Sequence, residues 1–87
     1  MKKFKDLVFE DRNEGLGFDT QAVMYFKNNY GVSVITGRSA YSNEEKPYEV
    51  AILYNNEITY STPITDDVLG YNTEKDVSNI MIKVQKL

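Results

Sequence analysis

The chain has 87 residues, of which 41% are hydrophobic and 26% are charged, and it contains neither cysteine nor histidine. This length predicts one domain, and this balance predicts a folded chain rather than a disordered one. The two missing residue types exclude disulfides, thiolate sites, the commonest zinc ligands and every Ser-His or Cys-His nucleophile. The net charge of −3 argues against direct nucleic-acid binding, which needs clustered lysine and arginine.

The first ten residues fit two structures equally well. Phe4, Leu7 and Val8 have the spacing of a helical turn, whereas Lys5, Leu7 and Phe9 alternate as in a strand. Residues 4–10 are therefore either a short helix or an additional strand.

Asn13–Gly17 predicts a turn, and its single Gly-Leu-Gly lacks the frame of a phosphate-binding loop. Leu7–Phe9 is too short for the apolar region of a signal peptide. No run approaches the length of a membrane span, so we expect a cytoplasmic protein without membrane contact.

Two β-hairpins follow, each predicted around a pair of asparagines. The first joins Gln21–Lys27 to Tyr30–Thr36 through Asn28–Asn29. Alternation places one apolar set on one face (Ala22, Met24, Phe26, Val32, Val34) and a second set on the other (Val23, Tyr25, Ile35).

The second hairpin is predicted over Tyr48–Thr62, with its turn at Asn55–Asn56. Tyr48, Val50, Ile52 and Tyr54 share one face, and we expect Ile58 and Tyr60 to meet them from the opposing strand. The polar segment Arg38–Pro47 between the hairpins is predicted to be a loop.

Two helical segments are predicted near the end of the chain. Thr65 can cap a short turn at Asp66–Val68 that ends at Gly70. Thr73–Leu87 predicts a longer helix, because Thr73 and Asp76 resemble a capping box. Its apolar residues follow helical spacing (Val77, Ile80, Met81, Val84, Leu87).

These elements predict an α+β fold: an antiparallel sheet of four or five strands, built from two hairpins, with a C-terminal amphipathic helix packed on one face. Residues 1–87 are predicted to form a single domain.

Three stretches resemble a family of small proteins encoded in tailed-phage and prophage genomes: NNYGVSVITG (28–37), PYEVAIL (47–53) and EITYSTPITDDVLGYNTEKDVSNIM (57–81). The most specific part is TPITDDVLGYNTEKDV (62–77). The resemblance implies a genomic context but no activity, cofactor or site residue. Where the family has an Asn-Gly or Asp-Gly turn, this chain has Asn28–Asn29, a difference expected to alter only the turn.

The favoured function is a non-catalytic protein-binding module that modulates or inhibits a host protein such as a defence factor. Tyrosine gives a large contact area at low entropic cost. The candidate contact residues are Tyr25, Tyr41, Glu44 and Glu45. A version of this function in which the acidic residues mimic nucleic acid would need a denser acidic surface than a net charge of −3 provides.

The alternatives are a self-associating structural protein, in which a homodimer covers the uncovered sheet face, and a metal-dependent nuclease using Asp66, Asp67 or Glu49. These acids are too few and wrongly spaced for a metal site. We therefore expect no enzyme, cofactor or bound metal.

Overall fold

The computed structural model of the protein describes residues 1–12, 19–38 and 40–87. In chain order its elements are a 3-10 helix (Phe4–Asp6), β1 (Glu10–Asp11), β2 (Asp19–Tyr25), β3 (Tyr30–Gly37), β4 (Tyr48–Tyr54), β5 (Glu57–Ile58), β6 (Leu69–Asn72) and α1 (Glu74–Gln85). The predicted turn at Asn13–Gly17 lies outside the described residues.

All strand pairs are antiparallel, and the sheet order is β1-β2-β3-β4-β5, with β6 also pairing with β4. The α+β fold with a C-terminal helix is confirmed. The described strands number six, more than predicted, because β1 and β6 join the two hairpins. None of the described helices is long and apolar enough to cross a membrane.

The capping box predicted at the start of α1 is present. The Thr73 hydroxyl oxygen accepts a hydrogen bond from the Asp76 N–H at 3.1 Å, and the Asp76 carboxylate accepts one from the Thr73 N–H at 2.9 Å. These two bonds satisfy N–H groups that would otherwise lack partners at a helix start.

The apolar stripe of α1 packs on one face of the sheet and forms the core, as predicted. The stripe buries Val77, Ile80, Met81 and Val84 against residues of β3 and β4 (Val32, Val34, Val50, Ile52). Leu87 lies beyond the end of α1 and is exposed, so it does not extend the stripe.

The first hairpin has the predicted faces, because Ala22 pairs with Val34 and Met24 pairs with Val32. Its turn is longer than two residues, since β2 ends at Tyr25 and the Phe26 N–H bonds the Tyr30 carbonyl at 2.8 Å.

Asn28 in this turn also bonds α1. Its amide nitrogen donates to the carbonyl oxygens of Val84 at 2.9 Å and Leu87 at 3.4 Å, while its side-chain oxygen accepts from the Tyr30 N–H at 3.1 Å. The expectation that this position affects only the turn is therefore wrong.

The second hairpin turns at Asn55–Asn56, where both residues have positive φ angles of 50° and 72°. A turn of this length pairs Tyr54 with Glu57 and Leu53 with Ile58. Ile58 therefore lies on the face opposite Val50 and Ile52, and the prediction that it meets them is wrong. Tyr60 lies beyond the end of β5 and is exposed, so its predicted pairing is wrong too.

The segment 65–72 also differs from the prediction, because Leu69–Asn72 forms strand β6 instead of ending a helical turn. The Asn72 amide donates to the Tyr48 carbonyl at 3.1 Å and the Leu69 carbonyl at 2.7 Å. A Cβ on Gly70 would lie 2.8 Å from the Tyr41 Cβ. The contacts of Gly70 with Tyr41 and of Asn72 with Tyr48 therefore outweigh the local residue pattern that predicted a helical turn.

Of the two predicted structures for residues 4–10, the helical one is present as a 3-10 helix at Phe4–Asp6. The alternating residues Lys5, Leu7 and Phe9 are not a strand, since β1 begins at Glu10. The rings of Phe4, Phe9 and Tyr48 form a cluster with centroid distances of 5.0 to 5.8 Å. Burial raises the pKa of the Tyr48 phenol, and the nearby Glu74 charge raises it further. This cluster holds the segment against the edge of the core.

Candidate protein-binding surface

The sheet face opposite α1, here called the open face, is a shallow groove. Its floor is formed by β3 and β4, and its walls by β2 and β5. Cross-strand pairing and alternation place on this face Gln21, Val23, Tyr25, Ser33, Ile35, Glu49, Ala51, Leu53 and Ile58. Of the described helices, both lie on the core side of the sheet.

The groove results from the sizes of the side chains along these strands. The floor carries the small residues Ser33 and Ala51, whereas Val23 and Tyr25 stand on one side and Ile58 on the other. The cavity between them has a volume of about 350 Å³. This is within the range of ordinary ligand sites, and its lining is mostly apolar.

Three apolar side chains of the open face are accessible. Val23 is 50% exposed, Tyr25 is 44% exposed and Ile58 is 50% exposed, while Ile35 and Leu53 between them are buried. The accessible apolar area is on the order of 300 Å², the size of patch that often marks a binding site.

Gly31 determines where the Tyr25 ring lies. A Cβ on Gly31 would be 2.8 Å from Cδ1 of Tyr25 and 2.5 Å from the Met24 carbonyl oxygen. Only glycine allows this close approach, so the ring lies over the backbone of β3. Gly31 therefore permits the position of the Tyr25 ring at the edge of the groove.

The polar side chains of the open face bond within the protein. The Gln21 amide donates to the Ser33 hydroxyl oxygen at 2.7 Å, and a Glu49 carboxylate oxygen accepts from the Tyr41 N–H at 3.3 Å. With these groups occupied, the sheet residues of the open face offer mainly apolar contacts to a partner, and Arg12 and Asn56 add polar groups to the lining of the groove.

The predicted contact residues do not form one surface. Tyr25 lies at the Leu53 end of the groove, whereas Tyr41 is held beside Glu49, four residues back along β4 or about 13 Å away. Tyr41 is 63% exposed, and its carbonyl accepts from the Tyr71 N–H at 2.8 Å.

Glu44 and Glu45 are exposed in the same loop as Tyr41. The loop is closed by Asn43, whose side-chain oxygen accepts from the N–H groups of Glu45 and Lys46 at 3.1 and 2.7 Å. Tyr41 and the two acids thus form a separate exposed loop, and of the four candidates only Tyr25 lines the groove.

The acids considered for a metal-dependent reaction are on different elements. Glu49 is buried on β4, whereas Asp66 and Asp67 are exposed between β5 and β6. Throughout the described ranges, no group of three or more acidic residues is arranged to hold a metal ion.

Comparison with known proteins identifies no relative. No protein-family model matches the chain, and no curated protein or solved structure is significantly similar to it.

Leu53 and Ile58 are the large apolar residues of the open face that were not predicted to lie there. Their pairing follows from the turn alone, because a two-residue turn at 55–56 must pair 54 with 57 and 53 with 58. The signal was present in the sequence as the Asn55–Asn56 pair.

Proposed function

We propose that this protein is a non-catalytic protein-binding module whose open face contacts a host protein. The observation that carries the proposal is the apolar groove with Val23, Tyr25 and Ile58 exposed on its walls. An accessible apolar patch on a sheet face favours a protein partner over a polar solute.

A phage or prophage origin is part of this proposal and rests on the resemblance noted for residues 28–37, 47–53 and 57–81, to which the comparisons add no match. On this proposal the module acts in the bacterial cytoplasm and modulates or inhibits a host protein such as a defence factor.

An interface with a different protein can be smaller than that of an obligate homodimer, so the open face suits a partner better than self-association. A stable interface buries about 800 Å² on each side, and obligate homodimers bury more. The three accessible side chains provide on the order of 300 Å². We therefore expect light scattering to show a monomer at high protein concentration, and a dimer would favour the structural alternative.

The test compares two triple variants as baits in bacterial lysate. The open-face variant carries Val23→Thr, Tyr25→Thr and Ile58→Thr, because threonine keeps the preference for strands while removing the apolar contacts. The control carries Tyr60→Thr, Tyr71→Asn and Leu87→Thr, which replace exposed apolar residues outside the groove.

We expect the wild type and the control to retain one stoichiometric partner and the open-face variant to lose it, with all three showing the same circular dichroism. Failure of the wild type to retain a partner would contradict the proposal. Equal retention by both variants would show that binding uses another surface.

A further inference from the structure

A second groove, here called the lysine groove, adjoins the open face. It lies between the N-terminal segment, the β2–β3 turn and the end of α1, and its volume is about 650 Å³. Lys2, Lys5 and Lys27 line it together with one acid, Asp6. A protein of net charge −3 therefore has a local excess of positive charge here.

The backbone on both sides of the lysine groove is fixed to the last turns of α1. The Gln85 side chain accepts from the Lys2 N–H at 2.9 Å and donates to the Lys2 carbonyl at 2.8 Å. On the other side, Asn28 next to Lys27 donates to the Val84 carbonyl at 2.9 Å. The lysines thus extend from ordered positions, which reduces the entropic cost of binding an anion.

The charges inside the lysine groove are not neutralised by the protein. Lys2, Lys5 and Lys27 are exposed, and none forms an ion pair with any residue in the described ranges. The Asp6 carboxylate accepts a hydrogen bond from the Lys3 N–H at 2.9 Å within the 3-10 helix. Three lysines therefore line a groove that contains one acid.

Tyr25 is shared by the lysine groove and the open face, although the lysine groove lies on the α1 side of the sheet and the open face on the other side. Tyr25 lines both cavities, with Phe26 beside it in the lysine groove. A partner that covers the open face can reach the lysines by passing around the edge of β2 at Tyr25. This extension also adds contact area, because the open face alone is smaller than a stable interface.

We propose that the lysine groove binds an acidic segment of the partner protein, one that carries aspartate or glutamate beside apolar residues. This inference rests on the proposed function and specifies the chemistry of the partner. Complementary charge across an interface directs association and orientation. Nucleic acid is a poorer fit, since phosphate binding draws on a larger cationic surface than three lysines in an acidic molecule.

The direct test measures binding of a short fluorescent peptide that alternates glutamate with leucine, using anisotropy at low salt. The groove variant carries Lys2→Gln, Lys5→Gln and Lys27→Gln. The control carries Lys46→Gln, Lys75→Gln and Lys83→Gln, which remove the same charge from exposed lysines outside the groove.

We expect the groove variant to bind the peptide about tenfold more weakly than the wild type, and the control to stay within about twofold. Equal weakening of both variants, or no binding of the peptide to the wild type, would overturn the inference. Tighter binding of a thymidine oligonucleotide than of the peptide would overturn it in favour of nucleic acid.

The lysate experiment separates this inference from the proposed function. If the groove variant keeps the partner while the open-face variant loses it, the inference of a bound acidic segment is wrong. The proposal that the open face binds a protein is then supported. If both variants lose the partner while the lysine control keeps it, both proposals are supported. If both variants keep the partner, both proposals fail.

Discussion

Asn28 connects three parts of the molecule through one side chain. Its oxygen orders the β2–β3 turn through the Tyr30 N–H, and its nitrogen binds carbonyls at the end of α1. The last carbonyls of a helix have no partner within the helix, so a side-chain donor there is stabilising. Glycine or alanine at this position would leave these carbonyls without that donor.

Asn28→Ala should lower the free energy of unfolding by about 1–2 kcal/mol, because it removes bonds to partly buried backbone groups. Chemical denaturation measures the change. Asn79→Ala is the matched control, since Asn79 is exposed on α1 and alanine favours helix, so its effect should be neutral or slightly stabilising. Equal effects of the two substitutions would contradict the role assigned to Asn28.

Asp76 makes the start of α1 sensitive to acid. Hydrogen bonds from the backbone and side chain of Thr73 lower the pKa of the Asp76 carboxyl, and the charges of Lys46 and Lys75 lower it further. Because the unfolded chain binds this proton more readily, the stabilisation is present above the ordinary pKa of about 3.9 and is lost as pH falls through the lower folded pKa.

Asp76→Asn should therefore reduce the melting temperature at neutral pH, and its difference from the wild type should shrink as the pH is lowered below about 4. Thermal unfolding followed by circular dichroism over this pH range measures the difference. Melting curves that stay equally far apart at neutral and acidic pH would show that the cap does not depend on the ionised carboxylate.

The helix α1 covers the core face of the sheet. The Met81 side chain of α1 is fully buried against the sheet, whereas Ile82, the next residue, is only half-buried. Met81→Ala should lower the free energy of unfolding by about 2–5 kcal/mol, because it leaves a cavity in the core. Ile82→Ala is the control and should cost less. A larger loss at Ile82 would mean that the helix packs through a different stripe.

The elements predicted correctly are those whose signals lie close together in the chain. The α1 capping box and stripe come from residues three or four apart, and the faces of the first hairpin follow from simple alternation. These signals depend on local geometry alone, so the sequence contains them in full.

Strand β6 and the lysine groove, which were not predicted, depend on contacts between distant residues, whereas the face of Ile58 was a local signal. Strand β6 forms because Gly70 fits against Tyr41 and Asn72 bonds Tyr48, and neither contact is visible in the local pattern of Asp66–Val68. The lysine groove likewise joins Lys27 to Lys2 and Lys5 through the end of α1. Of the candidate site, only Tyr25 was placed on the groove, since its parity with Val23 and Ile35 is a local signal.

For the molecule as a whole, the arrangement divides the sheet into two unequal faces. One face is covered by α1 and contains the core, and the other carries a groove with three accessible apolar residues and an adjoining cationic groove. Tyr25 lines both grooves, so a partner that uses both would pass around the edge of the sheet at this residue. The central claim is that the open face is accessible in the free protein and covered by a partner in the complex.

Single-cysteine alkylation tests this claim most directly, because the natural chain has no cysteine and only the introduced thiol reacts. Val23→Cys reports on the open face, and Tyr60→Cys, at a position 52% exposed outside the groove, is the control. Both thiols should react at similar rates in the free protein at every concentration, and only Val23→Cys should be protected in the purified complex. Protection of Val23→Cys in the free protein, or its full reactivity in the complex, would contradict the account.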